Sequence, residues 1–505
     1  MIVVGLGISG VEVSLLLKEK GAQVYCTDSN TSQELLQIAK RLKAKDIRVE
    51  LGGHAQDLVE GSDILVVSPG VKDDSAIINI AKKKSIPVIS EIEVASWLCR
   101  GPIIAVTGTN GKSTVVTLIG FMLKNAGKNP IVCGNIGKAF SGEVSDMVQD
   151  QPVVLEVSSF QLKRIDRFKP KIALITNITQ NHFDWHGDFI DYFGSKKNIY
   201  KNQDLDDFCV LNYDDKKIKE LDCELNSKVY YYSAKRKVRG AYLKEGRLVL
   251  NIDSKEIEIC SVNDIQLVGK HNISNALAAS LCSYLSGAVP EDIRSALIRF
   301  KGLDHRFQQV SVIDEVRYID DSKATTVDAC MAALASCDEN VILIAGGKDK
   351  GSDFKVLKEL VRNKVKFIVL IGEAANKIRG DLAGIVSTLE APSMHEAVVM
   401  CRDNAMAGDT VLLSPMCASF DMFSSYKDRG KAFQQEVGKL RTMHDPVKPL
   451  RSNGETHDPV KLLRSNGADA RRDNETNTYK PFFSYSDFAF YRNCDDILFK
   501  LRFCL

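Results

Sequence analysis

The chain has 505 residues, a length that suggests about three domains, and its 44% apolar and 26% charged content is that of ordinary soluble domains. A net charge of +2 gives no reason to propose a polyanion partner such as nucleic acid. Its 13 cysteines include no Cys-x-x-Cys pair, which signals neither a zinc site nor a disulfide framework, and no apolar run reaches the roughly 18–20 residues needed to span a bilayer.

The expectation is therefore a soluble protein of the reducing cytoplasm, with no leader before the first strand. Residues 1–93 alternate short apolar strands (2–4, 23–26, 64–68 and 88–90) with amphipathic helices, the pattern of a small parallel α/β unit. Its first turn is Gly5-x-Gly7-x-x-Gly10, and Asp28 closes the second strand. Glycines allow close approach to a pyrophosphate and the carboxylate meets a ribose hydroxyl, so the turn predicts a bound nucleotide diphosphate. The pattern does not separate NAD from a nucleotide sugar.

Residues 94–297 form a second unit built on Thr-Gly-Thr-Asn-Gly-Lys-Ser-Thr (107–114). An apolar run, 102–106, leads into it, and Val115, Leu118, Ile119 and Met122 follow at helical spacing. Strand, glycine turn and helix make a phosphate cradle. Backbone N–H groups of Gly108, Thr109, Asn110 and Gly111 face the phosphates, Lys112 supplies a point charge, Ser113 can ligate Mg²⁺, and Thr114 stands beside them. The spacing departs from the common form, with Val106 where the first glycine usually stands. ATP or GTP use follows. Further strands are predicted at 153–159 and 171–177, and 298–308 reads as a polar linker.

The third unit, 298–443, has strands at 341–345, 367–371 and 410–413. Segments 320–326 and 346–351 each follow an apolar run and set cations and hydroxyls at strand ends, suited to an acidic substrate or to phosphate. Beyond it, His-Asp-Pro-Val-Lys-Pro-Leu-Arg-Ser-Asn-Gly (444–454) recurs at 457–467 with Leu462 in place of Pro449. Residues 444–505 read as a repeat-containing tail with too few large apolar residues in the repeats to bury a core. Its aromatic end, from Tyr479, docks on the body, binds a partner, or is translated past an ancestral stop.

Glu156 ends a buried-looking strand, the edge where an α/β sheet presents metal ligands. His182, in Asn-His-Phe-Asp-Trp-His (181–186), is a second candidate, although a nitrogen donor suits Mg²⁺ only as a minority ligand. A solvated strand-end glutamate and a surface histidine are the plainer alternatives.

These motifs, with Leu-Glu-Val-Ser-Ser-Phe-Gln-Leu (155–162), Gly-Lys-His-Asn-Ile-Ser-Asn (269–275), Gly-Leu-Asp-His-Arg-Phe (302–307) and Leu-Leu-Ser-Pro-Met-Cys-Ala-Ser-Phe-Asp (412–421), together resemble the Mur ligase family in order over about residues 1–440. The resemblance implies an α/β protein of three domains: an N-terminal Rossmann-like parallel sheet for the uridine nucleotide, a central P-loop ATPase-like domain, and a C-terminal Rossmann-like domain for the amino acid. It implies ATP-dependent amide formation through an acyl phosphate, adding D-glutamate to UDP-N-acetylmuramoyl-L-alanine, with two Mg²⁺ ions and a carbamate on a lysine. The enzyme would act as a monomer, without membrane or nucleic acid.

By the same resemblance Lys112, Ser113, Glu156 and His182 hold phosphate and metal, and Lys196 rather than Lys197 carries the carbamate. Asn272 and Asn275 contact adenine, and Arg306 and Asp321 contact ribose and phosphate. Lys323, Thr325, Lys350, Ser419 and Tyr426 grip D-glutamate, Asn135, Ser158 and Gln161 the muramoyl substrate, and Ser9, Asp28 and Ser68 the uridine diphosphate. Asp304 departs from the family's proline and Tyr426 from its phenylalanine. The rival expectations are an L-alanine-adding member of the family and an NAD-binding regulatory or redox protein.

Overall fold

A computed structural model describes residues 1–444 apart from 55–58, 60, 180–182, 268 and 350. His182, Lys350 and the tail from 445 lie outside the described residues. The described residues divide into two compact units, 1–303 and 304–444.

The first unit carries two sheets. β1 (Ile2–Val4), β2 (Tyr25–Asp28), β3 (Arg48–Leu51), β4 (Leu65–Val67) and β5 (Val88–Ser90) pair in parallel in the order β3-β2-β1-β4-β5. Leu42, Ile47 and Val66 are among the residues filling the space between this sheet and its helices. Gly10 is required by close packing: a Cβ there would stand 1.9 Å from the Gly5 carbonyl oxygen.

The second sheet contains β6 (Ile103–Thr107), β7 (Ile131–Gly134), β8 (Val153–Glu156), β9 (Ile172–Ile175), β10 (Phe208–Asn212), β11 (Lys228–Ser233), β12 (Gly240–Lys244), β13 (Arg247–Ile252) and β14 (Lys255–Ser261). Their order is β14-β13-β12-β11-β10-β9-β6-β8-β7, parallel except where β13 meets β12 and β14. β6 lies between β8 and β9, and the chain leaves it in both directions across the sheet. That reversal opens a crevice at the carboxyl ends of the strands, where open α/β sheets bind ligands. The helix Lys112–Asn125 that follows β6 buries Val115, Val116, Leu118, Ile119, Met122 and Leu123. It is covered on its outer side by the helices Lys270–Leu285 and Pro290–Arg299, and Ser283 Oγ reaches the Met122 sulfur at 3.2 Å.

In the second unit β15 (Gln308–Ile313), β16 (Val316–Asp320), β17 (Val341–Gly346), β18 (Val365–Ile371), β19 (Ser387–Glu390) and β20 (Thr410–Met416) follow the order β15-β16-β20-β17-β18-β19. Only β15 is antiparallel to its neighbour.

Several predicted boundaries shift. The strand expected at 153–159 stops at Glu156 because Ser158 caps the helical turn Ser159–Leu162, its Oγ accepting from the Gln161 N–H at 3.3 Å. The strand expected at 171–177 stops at Ile175, since Thr176 and Asn177 turn their side chains to the Asn110 carbonyl of the 108–111 loop. The predicted linker 298–308 is taken up at one end by the helix Pro290–Arg299 and at the other by β15. The β12–β14 hairpins carry no tight Asn-Gly or Asp-Gly turn of the kind that announces a hairpin.

Candidate active site

The loop from Gly108 to Gly111 leaves β6 with positive φ at both glycines, 139° and 84°. A Cβ at Gly108 would fall 1.9 Å from Thr176 Oγ1, so the backbone can pass here only without a side chain. The end of β9 pins the loop. Asn177 Oδ1 accepts from the Asn110 N–H at 2.9 Å, Asn177 Nδ2 donates to the Asn110 carbonyl at 2.9 Å, and Thr176 Oγ1 donates to the same carbonyl at 2.7 Å. Thr109 Oγ1 and the Tyr192 hydroxyl share a hydrogen bond of 3.0 Å.

Two lysines converge on this loop. Lys112 Nζ donates to the carbonyls of Gly108 at 3.0 Å and Thr109 at 2.9 Å. Lys196 Nζ, from the helix Phe189–Lys197, donates to the same Gly108 carbonyl at 2.8 Å and lies 4.8 Å from the Tyr192 ring centre. Lys196 is 2% exposed. Burial, with the Lys112 charge adding to it, holds its ammonium well below the usual lysine range, while Glu156 pulls the other way. Lys197 instead faces Glu224, with 30% of its side chain exposed. Of the two lysines, only Lys196 is enclosed.

Glu156 is buried at the end of β8. Its Oε1 accepts from Asn135 Nδ2 at 3.0 Å, and its Oε2 has no hydrogen-bond partner. A buried carboxylate oxygen without a donor is costly unless a cation meets it. That fits a divalent ion held by Glu156 with the buried Ser113 hydroxyl, both oxygen donors. Among the described residues no three His, Cys, Asp or Glu side chains gather into a closed metal site.

The other expected ligands of this unit lie around the same crevice or on the first sheet. Ser158 and Gln161 form a reciprocal cap, with Gln161 Oε1 accepting from the Ser158 N–H at 3.0 Å. Asn272 and Asn275 are buried at the start of the helix Lys270–Leu285 and joined by a 3.0 Å bond. Asn275 Oδ1 lies so near Gly111 that a Cβ there would be 2.5 Å away. In the first sheet Asp28 accepts from the Leu6 N–H at 2.8 Å and the Asn30 N–H at 2.9 Å, and Ser68 Oγ donates to the Gly5 carbonyl at 2.7 Å. Both side chains thus shape the glycine turn. Ser9 lies half-buried in the first turn of the helix Ile8–Glu19, and Thr114 is half-buried after Ser113.

The second unit gathers its candidates at the ends of β16, β17 and β20. Asp320 is wholly buried, accepting from His305 Nδ1 at 2.8 Å, Gln434 Nε2 at 2.8 Å and the Ser322 N–H at 2.9 Å. His305 and Phe307 take φ of 65° and 45°, so Arg306 is flanked by two non-glycine residues in the left-handed region. Lys323 Nζ donates to the Tyr426 hydroxyl at 3.4 Å, and Ser419 is buried after β20. Thr325 is half-buried on the Lys323 loop, its N–H donating to the Lys323 carbonyl at 2.8 Å. Arg429, which sequence reasoning missed, is 1% exposed and ties two of these loops by donating to the Ser322 carbonyl at 2.9 Å and the Cys417 carbonyl at 3.0 Å.

Asp321 accepts from Ser414 Oγ at 3.0 Å and from the Phe307 N–H at 3.1 Å, and burial pushes its carboxyl up to about 7. A folded value above the unfolded one means that the folded chain holds the extra proton between about 4 and about 7. Stability supplied by this group is present at acid pH and lost as pH rises through that window. Asp321→Asn is expected to flatten the fall in melting temperature between pH 5 and pH 8, read by thermal unfolding across pH; an unchanged slope would contradict it.

Comparison with known proteins matches three domain families in sequence: the MurD-like N-terminal domain of Mur ligases over residues 1–90, the Mur ligase middle domain over 106–283, and the Mur ligase glutamate ligase domain over 305–417. The chain is 41% identical over 441 residues to the UDP-N-acetylmuramoylalanine–D-glutamate ligase of Koribacter versatilis, covering 87% of this chain and 97% of that one. It is 39% identical over 446 residues to the enzyme of the same name from Clostridioides difficile, covering 87% and 98%. In fold it is similar to a pseudomurein peptide ligase type C from Methanothermus fervidus, with a TM-score of 0.55 at 19% identity, covering 87% of this chain and 99% of that one. It is also similar to the MurF ligase of Thermotoga maritima solved with ADP, with a TM-score of 0.52 at 14% identity, covering 83% and 95%.

Proposed function

The chain belongs to the Mur ligase family, and from that premise we propose that it joins D-glutamate to UDP-N-acetylmuramoyl-L-alanine while ATP is cleaved to ADP and phosphate. Relatives bearing that name align with 87% of the chain. The observation that carries the reading is the convergence of Lys112 and Lys196 on the Gly108 carbonyl, beside the unpartnered Glu156 Oε2. The Lys112 cation at a helix N-terminus suits a polyphosphate, the buried Lys196 amine beside it suits carbamate formation, and an orphaned carboxylate suits a divalent counter-ion.

The chemistry follows from charge. The alanyl carboxylate and the γ-phosphate are both anions, so attack needs their repulsion relieved. Backbone N–H groups of the 108–111 loop and Lys112 hold the β- and γ-phosphates and stabilise charge as it moves to the leaving ADP. A carboxylate oxygen forms the new bond to phosphorus as the bond to the β-bridging oxygen breaks, giving the acyl phosphate. The glutamate amine, held as the free base, then adds to the acyl carbon, and its surplus proton is carried off by the departing phosphate. The tetrahedral adduct collapses to the amide and inorganic phosphate. Lys323, Thr325, Lys350, Ser419 and Tyr426 would hold the glutamate, Asn135, Ser158 and Gln161 the muramoyl group, Ser9, Asp28 and Ser68 the uridine diphosphate, Asn272 and Asn275 the adenine, and Arg306 and Asp321 the ribose and phosphate.

Ser113, Glu156, His182 and a carbamate on Lys196 would hold two Mg²⁺ ions, which would supply positive charge to offset the phosphate and carboxylate. The depressed Lys196 amine is suited to take up CO₂, since the neutral amine is the nucleophile. We place the protein in the cytoplasm as a monomer; no helix among the described residues is long and apolar enough to cross a membrane.

A coupled ADP-release assay tests the reading. Release that requires both UDP-N-acetylmuramoyl-L-alanine and D-glutamate is expected. Release with UDP-N-acetylmuramate and L-alanine instead would assign it to alanine addition, and saturable NADH binding without ADP release would favour the redox reading.

A further inference from the structure

Within the first unit a polar array runs behind the crevice and takes no part in the chemistry above. His186 is buried, with its Nε2 2.8 Å from Ser159 Oγ and its Nδ1 2.9 Å from Asp191 Oδ2. The same Asp191 oxygen takes Lys163 Nζ at 2.7 Å, and Lys163 also reaches Asp73 Oδ2 at 2.7 Å. Arg164 closes on Asp73 Oδ1 at 2.5 Å and on the Val71 carbonyl at 3.1 Å. Phe160 stacks on the imidazole at 5.4 Å, and Tyr192 meets it edge-on at 5.4 Å.

Serine, histidine and aspartate stand here in the order of a hydrolytic triad, yet Ser159 is 2% exposed and opens a helical turn. A nucleophile must meet its substrate, and this hydroxyl does not. What the array joins is more informative. Ser159 follows Ser158 in the turn that also holds Gln161. Asp191 is on the helix that carries Lys196, and Tyr192 beside it bonds Thr109 of the phosphate loop. Asp73 follows β4 of the first sheet, close after Ser68.

We propose that Ser159, His186 and Asp191 form a positioning relay that sets the Ser158–Gln161 turn and the Lys196 helix at a fixed spacing, anchored through Lys163 to the Asp73 loop. With Asp191 on one side, His186 carries its proton on Nδ1 and accepts from the Ser159 hydroxyl at Nε2, so one tautomer fixes both partners. The Lys163–Asp191 ion pair and the Phe160–His186–Tyr192 ring contacts run alongside the relay between the same two segments. His186 is therefore a positioning residue, acting on the substrate turn and on Lys196 together. The inference rests on the ligase reading for its kinetic consequence, though not for its geometry.

The test uses the full chain with Ser159→Ala, His186→Asn and His186→Ala. Misplacing a reacting group by about 1 Å costs up to about 100-fold in rate, so kcat is expected to fall about tenfold or more in each variant while KM for ATP stays within about twofold. Ser159→Ala combined with His186→Ala should be no worse than His186→Ala alone. A merely structural role predicts losses that follow melting temperature and disappear when the assay is cooled. Full kcat in folded His186→Asn and Ser159→Ala would overturn the proposal, and these two decide the matter where His186→Ala fails to fold. Long-range ¹H–¹⁵N correlation of the wild-type imidazole gives a readout independent of turnover. The Nδ1–H tautomer, lost in Asp191→Asn, is expected; the Nε2–H tautomer would overturn the relay. Wild-type protein without glutamate-dependent ADP release would refute the ligase reading, and the tautomer would then decide the relay alone.

Discussion

Lys196→Ala is expected to lower turnover by about 10²- to 10³-fold, the usual loss when one preorganised group that stabilises transferring charge is removed. The chain should still fold, because the variant removes a desolvated amine from beside Lys112 rather than a packed apolar group. Short carboxylic acids such as formate should restore part of the activity by entering the vacated space as an oxygen donor. Lys196→Arg should be as inactive as the alanine variant, since a guanidinium stays charged and does not take up CO₂. Lys197→Ala, at a half-exposed position facing Glu224, should keep turnover within about twofold, since exposed ion pairs contribute little. Activity assays of the four proteins with and without formate make the comparison. A fully active Lys196→Ala, or a crippled one that no carboxylate rescues, would exclude the carbamate.

That contrast also marks where sequence stops being readable. The glycine turns were legible because their function is local: Gly108, Gly111 and Gly10 sit where a Cβ would strike Thr176, Asn275 or the Gly5 carbonyl, and the spacing of a turn survives in one dimension. Likewise the helical repeat of Val115, Leu118, Ile119 and Met122 announced a face that is wholly buried. His186 was not legible. It stands in the motif that offered His182, but its partners Ser159 and Asp191 come from different elements, and only the fold brings their polar atoms within 2.9 Å. Asn177 and Arg429 escaped for the same reason, their bonds running to backbone carbonyls that carry no sequence signal. The strands β10 to β14 were missed although β10 is wholly buried and β13 buries most of its length, because the β12–β13 turn is Glu245-Gly246 rather than the Asn-Gly or Asp-Gly pair that announces a hairpin.

Glu156→Gln separates fold from function at this site. Glutamine matches glutamate in shape and can still accept from Asn135 through its carbonyl oxygen, so β8 and the 135 loop keep their contact. The group replaced is the buried oxygen that has no donor. Losing an uncompensated buried charge removes a desolvation cost, so the melting temperature without nucleotide or metal should be equal to or above that of the unaltered protein. Added Mg²⁺ should raise the melting temperature of the original chain more than that of the variant, because a ligand stabilises only in proportion to its binding to the folded state. Glutamate-dependent ADP release should fall by at least about 10²-fold, as for other losses of charge stabilisation at a reacting phosphate. The two measurements move in opposite directions, which is the signature of a residue kept for chemistry at the expense of stability. A variant that melts several degrees lower and retains its turnover would mean that Glu156 serves the packing of β8 and that the cation is held elsewhere.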